Sequence, residues 1–310
     1  MAENSAIEWT DATVNFWWGC TKVGPGCDHC YAEAWSKRTG GSIWGAGAPR
    51  RKIKGAVALI HRLDNGYSWF YADNDRRRRV FIQSMSDLFD LEVPAEWFAE
   101  AWDHVTACDR LDIQIVTKRV SVVEKRLASI GRGWPGHAGL IISVVNQAEA
   151  DRDIPRLIEL KAKLGIPWIG LSMEPLLGAV MLRPEWLAAL DWIIVGGESG
   201  PGARPMHPNW ARSLRDQCEA ADVPFLFKQW GEWTLGVNAG STLDRRTVET
   251  ADWFGGTWSF ETIRGDFEFH ADDEPLLFRA GKKAAGRALD GRTHDGFPLS
   301  ERAAGKGRGV

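Results

Sequence analysis

Seven short runs rich in valine, isoleucine and aromatic residues recur along the chain, separated by amphipathic stretches of helical length. They are TVNFWWG (13–19), RVFIQS (79–84), DIQIVT (112–117), GLIISVV (139–145), PWIGLS (167–172), DWIIVG (191–196) and PFLFKQ (224–229). Strand runs that alternate with helical patterns imply βαβ units, in which a parallel sheet is covered by helices. The expected fold is therefore α/β: a partial (β/α) barrel of about six or seven parallel strands. Two intervening helices are clear, PAEWFAEAWDHVTAC (94–108) with Pro94 in the first turn, and HPNWARSLRDQCEAAD (207–222), both with apolar residues at three- and four-residue spacing. Cys108 and Cys218 fall near their ends and are expected to be packed thiols, since free cysteine is among the most buried residue types.

The rhythm breaks from about Gly231 to Phe278, where alternation in TWSFETIRGDFEFHA (257–271) predicts a hairpin turning at RGD. The expected organisation is a barrel over 1–231, a small β-rich lobe over 232–280, and a basic C-terminal segment over 281–310 that ends in disorder.

Composition narrows the function classes. Charged residues make up 25% of the chain and the net charge is −3, so there is no global basic excess and any nucleic-acid contact must be local. The start has neither a basic flank nor an apolar run, and no stretch approaches the ~20 apolar residues of a membrane span, which predicts a cytoplasmic protein with no membrane partner. The run RRRR (76–79) is expected to be a solvated turn. The seventeen tryptophans are expected mainly in the core and at its rim, with one or two lining a pocket.

Each predicted strand ends in a polar signature: SMSD (84–87), TKR (117–119), SVVNQ (143–147), SMEP (172–175), GGESG (196–200) and KQWGE (228–232). In a parallel barrel, functional groups gather at the C-terminal ends of the strands, so these endings would converge on one mouth. Lys118, Arg119 and Lys228 could hold a carboxylate or phosphate. Asp87, Glu174 and Glu198 could take an amine or ribose hydroxyls, and Gly196-Gly197 would let backbone approach a ligand. The loop GGESGPGARPMHP (196–208) matches neither the dinucleotide fingerprint nor the P-loop.

The first strand leads into GCTKVGPGCDHCYAE, which holds Cys20, Cys27 and Cys30 in a C-x6-C-x2-C pattern. Five cysteines are too few for a disulfide framework, so three clustered thiols read first as metal ligands. Three thiolates suit a [4Fe–4S] cluster whose fourth iron stays open to a small molecule. Structural Zn²⁺ wants four ligands, and the remaining cysteines and seven histidines supply no second pair; a catalytic zinc with three cysteines and a water stays open.

The segments IEWTDATVNFWWGCTKVGPGCDHCYAE (7–33), SMSDLF (84–89), EPLLG (174–178), LDWIIVGGESGPGARPM (190–206), VPFLFKQWGEW (223–233) and GKKAAGRALDGRTHDGFP (281–298) carry a resemblance over nearly the whole chain. With TKR (117–119), they resemble the phage-associated three-Cys-motif proteins, a group similar to radical S-adenosylmethionine (SAM) enzymes. The resemblance implies a [4Fe–4S] cluster on Cys20, Cys27 and Cys30, SAM bound at the open iron, an external electron donor, and cleavage of SAM to a 5′-deoxyadenosyl radical. His29 holds the place before the third cysteine, which in radical-SAM enzymes lies near the adenine.

The cofactor-binding set expected on these grounds is His29, Tyr31, Ser84, Asp87, Lys118, Ser143, Glu174, Gly196, Gly197 and Glu198. The catalytic or substrate-binding set is Arg119, Ser199, Arg204, Lys228, Gln229 and Trp230. The expected substrate is a nucleic-acid base or nucleotide, with Lys282, Lys283, Arg287 and Arg292 of the tail available for phosphates. The alternative is a non-catalytic zinc or iron–sulfur protein that acts by binding a partner.

Overall fold

A computed structural model describes residues 1–239, 247–264 and 276–298. Seven parallel strands form the main sheet: β1 (Ala12–Val14), β2 (Arg79–Ile82), β3 (Asp112–Thr117), β4 (Ala138–Ser143), β5 (Ile169–Met173), β6 (Trp192–Gly196) and β7 (Phe225–Gln229). They lie in sequence order across the sheet, every pairing is parallel, and the sheet curls into a half-barrel. Each strand thus neighbours the next through a helical crossover, the connection that parallel pairing requires.

Side chains alternate between two faces. Val80, Ile82, Ile113, Ile115, Leu140, Ile142, Leu171 and Val195 point outward into one continuous core. There they meet helices α2 (Ala56–Asn65), α3 (Ala95–Ala107), α4 (Val123–Ile130), α5 (Gln147–Leu164) and α6 (Pro208–Ala220), through residues such as Leu59, Phe98, Leu127, Leu157 and Leu214; helix α1 (Tyr31–Arg38) follows the third cysteine. The alternate residues Phe81, Ile141, Trp192, Ile194 and Leu226 form a second, smaller cluster with Trp9 on the concave face. Cys108 and Cys218 are fully buried in the outer core.

The first run divides in two. After β1, Asn15 spends its side chain on the Ser84 hydroxyl (3.0 Å) and the Met85 N–H (2.7 Å), while the Phe16 N–H donates to the Gln83 side chain (2.7 Å). These bonds draw the backbone off the ladder, and Trp17–Trp18 pairs instead with Arg51–Lys52 as a separate antiparallel ribbon.

Both edges of the half-barrel are covered. Ala2 bridges Thr13 on β1, and on β7 the Phe227 N–H donates to the His294 carbonyl (3.0 Å) and the Gly296 N–H to the Phe225 carbonyl (2.9 Å). Covering an open edge removes a template for aggregation. The second sheet is antiparallel, with β8 (Trp233–Leu235), β9 (Thr247–Phe254), β10 (Thr257–Arg264) and β11 (Leu277–Arg279) in the order β8-β11-β9-β10. The β9–β10 hairpin turns at Gly255-Gly256, where both glycines adopt the positive φ (+60° and +86°) that a two-residue hairpin turn demands. Residues 265–271 of the expected hairpin, and the tail from 299, lie outside the described residues.

The arginine run is spent at the N-terminal end of β2. Arg76 forks onto Asp11 (2.6 and 2.8 Å), Arg77 donates to the Asp109 carbonyl (2.9 Å), Arg78 to the Glu3 carbonyl (3.0 Å), and Arg79 lies 3.6 Å over the Phe297 ring. In the tail, Arg287 pairs with Asp295. Among the described residues no helix is long and apolar enough to cross a membrane.

Candidate functional site

The period of two carries the concave face up to the C-terminal rim. Extending it from Thr13, Phe81, Val116, Ile141, Trp168, Ile194 and Leu226 places Asn15, Gln83, Lys118, Ser143, Ser172 with Glu174, Gly196 and Lys228 at the mouth. The opposite end of the same face is plugged by Trp9, Trp168, Trp192 and Phe297. The C-terminal end carries the polar rim, and deeper on the same face Gln114 donates its amide to the Trp9 carbonyl (3.3 Å).

Glu174 receives both hydrogen bonds of the Lys228 ammonium (2.7 and 2.8 Å) and one from the Gln229 amide (3.0 Å), which also donates to the Ser199 hydroxyl (3.1 Å). The pair is mostly buried, so charge is held there with no net excess. Tyr31 reaches across from α1, and its hydroxyl donates to the Ser84 carbonyl (2.6 Å). Enclosure of that hydroxyl, with Cys30 and Glu174 nearby, pushes it above the usual phenol range, although 57% of the residue remains open to water. Lys118 leans over Gly26, where an added Cβ would meet its ammonium at 3.5 Å, and the ammonium has no hydrogen-bond or ion-pair partner among the described residues. Lys118 and Ser143 also border a cavity of about 20 Å³ beside Gly24, room for little more than one water.

Other expected site residues are committed to the scaffold. Asp87 is buried and accepts from the Thr117 hydroxyl (2.9 Å), the Phe89 and Lys118 N–H groups (2.9 and 3.0 Å) and Arg119 (3.1 Å), so it braces β2 against β3. Glu198 is gripped by the Arg204 guanidinium (2.7 and 2.9 Å) and by His29 Nδ1 (3.0 Å); burial would raise its carboxyl, but these bonds hold it below the ordinary range. Arg204 also donates to the Pro25 carbonyl (2.8 Å) and to Asp28 (3.1 Å), so the β6 loop clasps the cysteine loop. A Cβ on Gly197 would lie 1.8 Å from the Trp230 carbonyl oxygen, and one on Gly231 (φ +88°) would lie 2.1 Å from the Glu198 carbonyl. These glycines let the β6 and β7 ends press together. Gly196 lies against the Glu174 side chain. Trp230 is not in the mouth: it is buried against Phe227 and its indole donates to the Ala288 carbonyl (2.7 Å).

The three thiols sit in different settings. Arg119 donates to the Cys20 sulfur (3.4 Å) and to the Thr21 carbonyl (2.6 Å). Burial pushes the Cys20 thiol up to about 12, Arg119 pulls against that, and Asp87 and Asp90 add to it. Cys27 is buried at the end of the turn Pro25–Cys27, its N–H bonded to the Gly24 carbonyl (2.9 Å). Cys30 caps α1. Burial raises its thiol, the N–H groups of Glu33 and Ala32 lower it, Cys27 raises it and Lys118 lowers it, which puts Cys27 and Lys118 within electrostatic reach of Cys30.

A supporting bed lies beneath Cys20. Arg50, its side chain 1% exposed, donates to Asp90 (2.9 Å), the Thr21 hydroxyl (2.7 Å) and the Ala48 carbonyl (2.8 Å). Sequence reasoning passed over Arg50, Asp90, Asn15 and Ser172. Asn15 and Ser172 could have been found by extending the strand period; Arg50 and Asp90 meet only through tertiary structure.

Among the described residues no three His, Cys, Asp or Glu side chains are gathered closely enough to share one metal ion. A zinc ion holds its thiolates at about 2.3 Å, so their sulfurs must crowd together. A [4Fe–4S] cluster gives each thiolate its own iron and takes a wider triangle. The donor set fits the cluster in chemistry: three thiols, an arginine N–H on the first, helix N–H groups on the third, and the second thiol and a lysine within electrostatic reach of the third.

At the outer rim, Tyr31 is followed one helical turn later by Trp35, 42% exposed. Trp35 meets Trp18 edge-to-face at 4.8 Å, and the Arg51 guanidinium lies 4.4 Å over the Trp18 ring.

Residues 4–298 match a family described as "Protein of unknown function (DUF5131)". The chain belongs to this family. No curated protein matches it. Among solved structures, it is similar to spore photoproduct lyase complexed with dinucleoside spore photoproduct, with 13% identity, a TM-score of 0.41, and coverage of 70% of this chain and 63% of that one. A variant of that lyase with bound AdoMet and dinucleoside spore photoproduct gives 15% identity, a TM-score of 0.39, and coverage of 73% and 57%. The DUF5131 chain thus spans less than two thirds of these proteins.

Proposed function

We propose that this DUF5131 protein is a radical-SAM-like iron–sulfur enzyme that acts on a nucleic-acid base or nucleotide. The observations that support the reading are that Arg119, just beyond β3, donates to the Cys20 sulfur (3.4 Å), and that Cys27 and Lys118 lie within electrostatic reach of Cys30. Cys20, Cys27 and Cys30 would hold a [4Fe–4S] cluster. When bound, that cluster would supply the electron, received from an external donor, that cleaves SAM to methionine and a 5′-deoxyadenosyl radical.

The chain's own residues supply binding and order. The Lys118 ammonium, with no hydrogen-bond or ion-pair partner among the described residues, is the natural counterion for a carboxylate, with Ser143 lining the same small cavity. The Glu174–Lys228 pair offers an acceptor and a donor to a polar substrate, and Gln229 and Ser199 fix its orientation. His29, held by Glu198, is kept at the lip of the mouth. Support for a nucleic-acid substrate is the surface of Tyr31, Trp35 and Trp18 with Arg51 over the Trp18 ring, since aromatic rings beside cations stack bases and attract phosphates.

Anaerobic purification and reconstitution test the reading. Brown protein with broad absorption near ~400 nm and about four irons per chain is expected. Colourless protein that retains one zinc after reconstitution would favour the partner-binding metalloprotein instead.

A further inference from the structure

Arg119 stands at a strand end where a substrate cation is expected, yet its guanidinium is already engaged. One Nη donates to the Cys20 sulfur (3.4 Å) and Asp87 (3.1 Å), the other to the Thr21 carbonyl (2.6 Å). Its side chain is only 10% exposed, and Asp90 lies 3.9 Å away. A residue so held cannot swing out to a phosphate without abandoning the cysteine loop.

We infer that Arg119 is a positioning residue that fixes Cys20 as a ligand and sets the reduction potential of the group the three thiols hold; this rests on the cluster reading above. The six-residue interval between Cys20 and Cys27 leaves the first cysteine on a long loop, and the bond to the Thr21 carbonyl fastens that loop immediately beyond Cys20. The N–H on the Cys20 sulfur adds an electrostatic role. One-electron reduction places a further negative charge on an iron–sulfur cluster, and hydrogen bonds to its sulfurs and nearby positive charge stabilise the reduced form. Arg119 therefore raises the potential and Asp87, behind it, lowers it. Neither contact is made by Lys228 or Arg204, whose partners are carboxylates and a loop carbonyl.

The test is potentiometric. Arg119→Met, Arg119→Lys and Asp87→Asn proteins are reconstituted anaerobically, iron per chain is counted, and the reduced cluster is followed by EPR during a reductive titration. In Arg119→Met the ratio of reduced to oxidised cluster at a fixed potential should fall about tenfold, equivalent to about 59 mV for one electron. Arg119→Lys should lie between this variant and wild type, and Asp87→Asn should shift the opposite way. Arg76→Met, at the far end of the sheet, should match wild type in iron and potential. Loss of iron from Arg119→Met with retention in Arg119→Lys supports the positioning role, and the lysine variant then reads the potential. Fully loaded variants at the wild-type potential overturn the inference while leaving the cluster intact; a wild-type protein that takes up no iron instead overturns the cluster reading itself.

Discussion

The two ends of the half-barrel use cations in opposite ways. At the N-terminal end, four consecutive arginines look like a binding patch in sequence, yet each is spent on a neighbouring carboxylate, carbonyl or ring. At the C-terminal end the cations are spread over several strand ends, and the Lys118 ammonium, within electrostatic reach of Cys30, has no hydrogen-bond partner among the described residues. Charge density along the chain therefore says little about function here. Position at a strand's C-terminal end says more, because the fold brings such positions together.

The largest break in this comparison should come from the cysteines. Cys27→Ala should fall from about four irons per chain to almost none, whereas Cys218→Ala, in the outer core, should keep its iron; equal iron in both would remove the ligand assignment. Next is Lys228→Met, which strands the mostly buried Glu174 carboxylate and should cost about 2–3 kcal/mol in denaturant unfolding. The double variant Glu174→Gln/Lys228→Met should recover most of that loss, and failure to recover would mean that the pair is not the source.

At the rim, Trp35→Ala and Arg51→Ala should each weaken binding of a fluorescent single-stranded oligonucleotide by about tenfold, consistent with ~1–3 kcal/mol per stacked base. Trp69→Ala, at an 82% exposed tryptophan elsewhere on the surface, should leave it unchanged. Equal losses in all three would show that the rim has no special role.

The smallest effect belongs to the N-terminal end. Arg76→Ala should cost about 1 kcal/mol, as expected for a forked but partly exposed pair, with no change in iron content. Burial would raise the Asp11 carboxyl, but the bonds from Arg76 and the Arg79 N–H, with their charges, hold it below the usual value. A depressed folded-state value gives stability that is present above the unfolded carboxyl range near ~3.9 and is lost as pH falls through the folded value. Arg76→Ala should therefore flatten the acid limb of the stability profile below about pH 4; an unchanged limb would mean that Asp11 contributes nothing to it.

Much of this was legible from the chain alone. Parallel strands buried on both faces read as apolar runs, and six of the seven lie at or within about two residues of their expected positions, while only the start of the first run, Ala12–Val14, joins the sheet. The isolation of Cys108 and Cys218 in helices was enough to read them as packed thiols. What could not be read were interactions that exist only after folding. No local pattern marks Gly197 as a spacer for the Trp230 carbonyl, or Asp87 as an acceptor already saturated by Thr117, Lys118 and Arg119. Trp230 was assigned to the mouth from its strand-end position, but its ring turns away into the C-terminal segment.

The central claim is that the polar end of the half-barrel holds a cluster on Cys20, Cys27 and Cys30 and there cleaves SAM. Reconstituted, dithionite-reduced protein incubated anaerobically with SAM tests it most directly, by chromatographic assay of 5′-deoxyadenosine. The account predicts that product from wild-type protein and none from Cys27→Ala. A verified cluster that yields no 5′-deoxyadenosine, with or without added oligonucleotide, would contradict it.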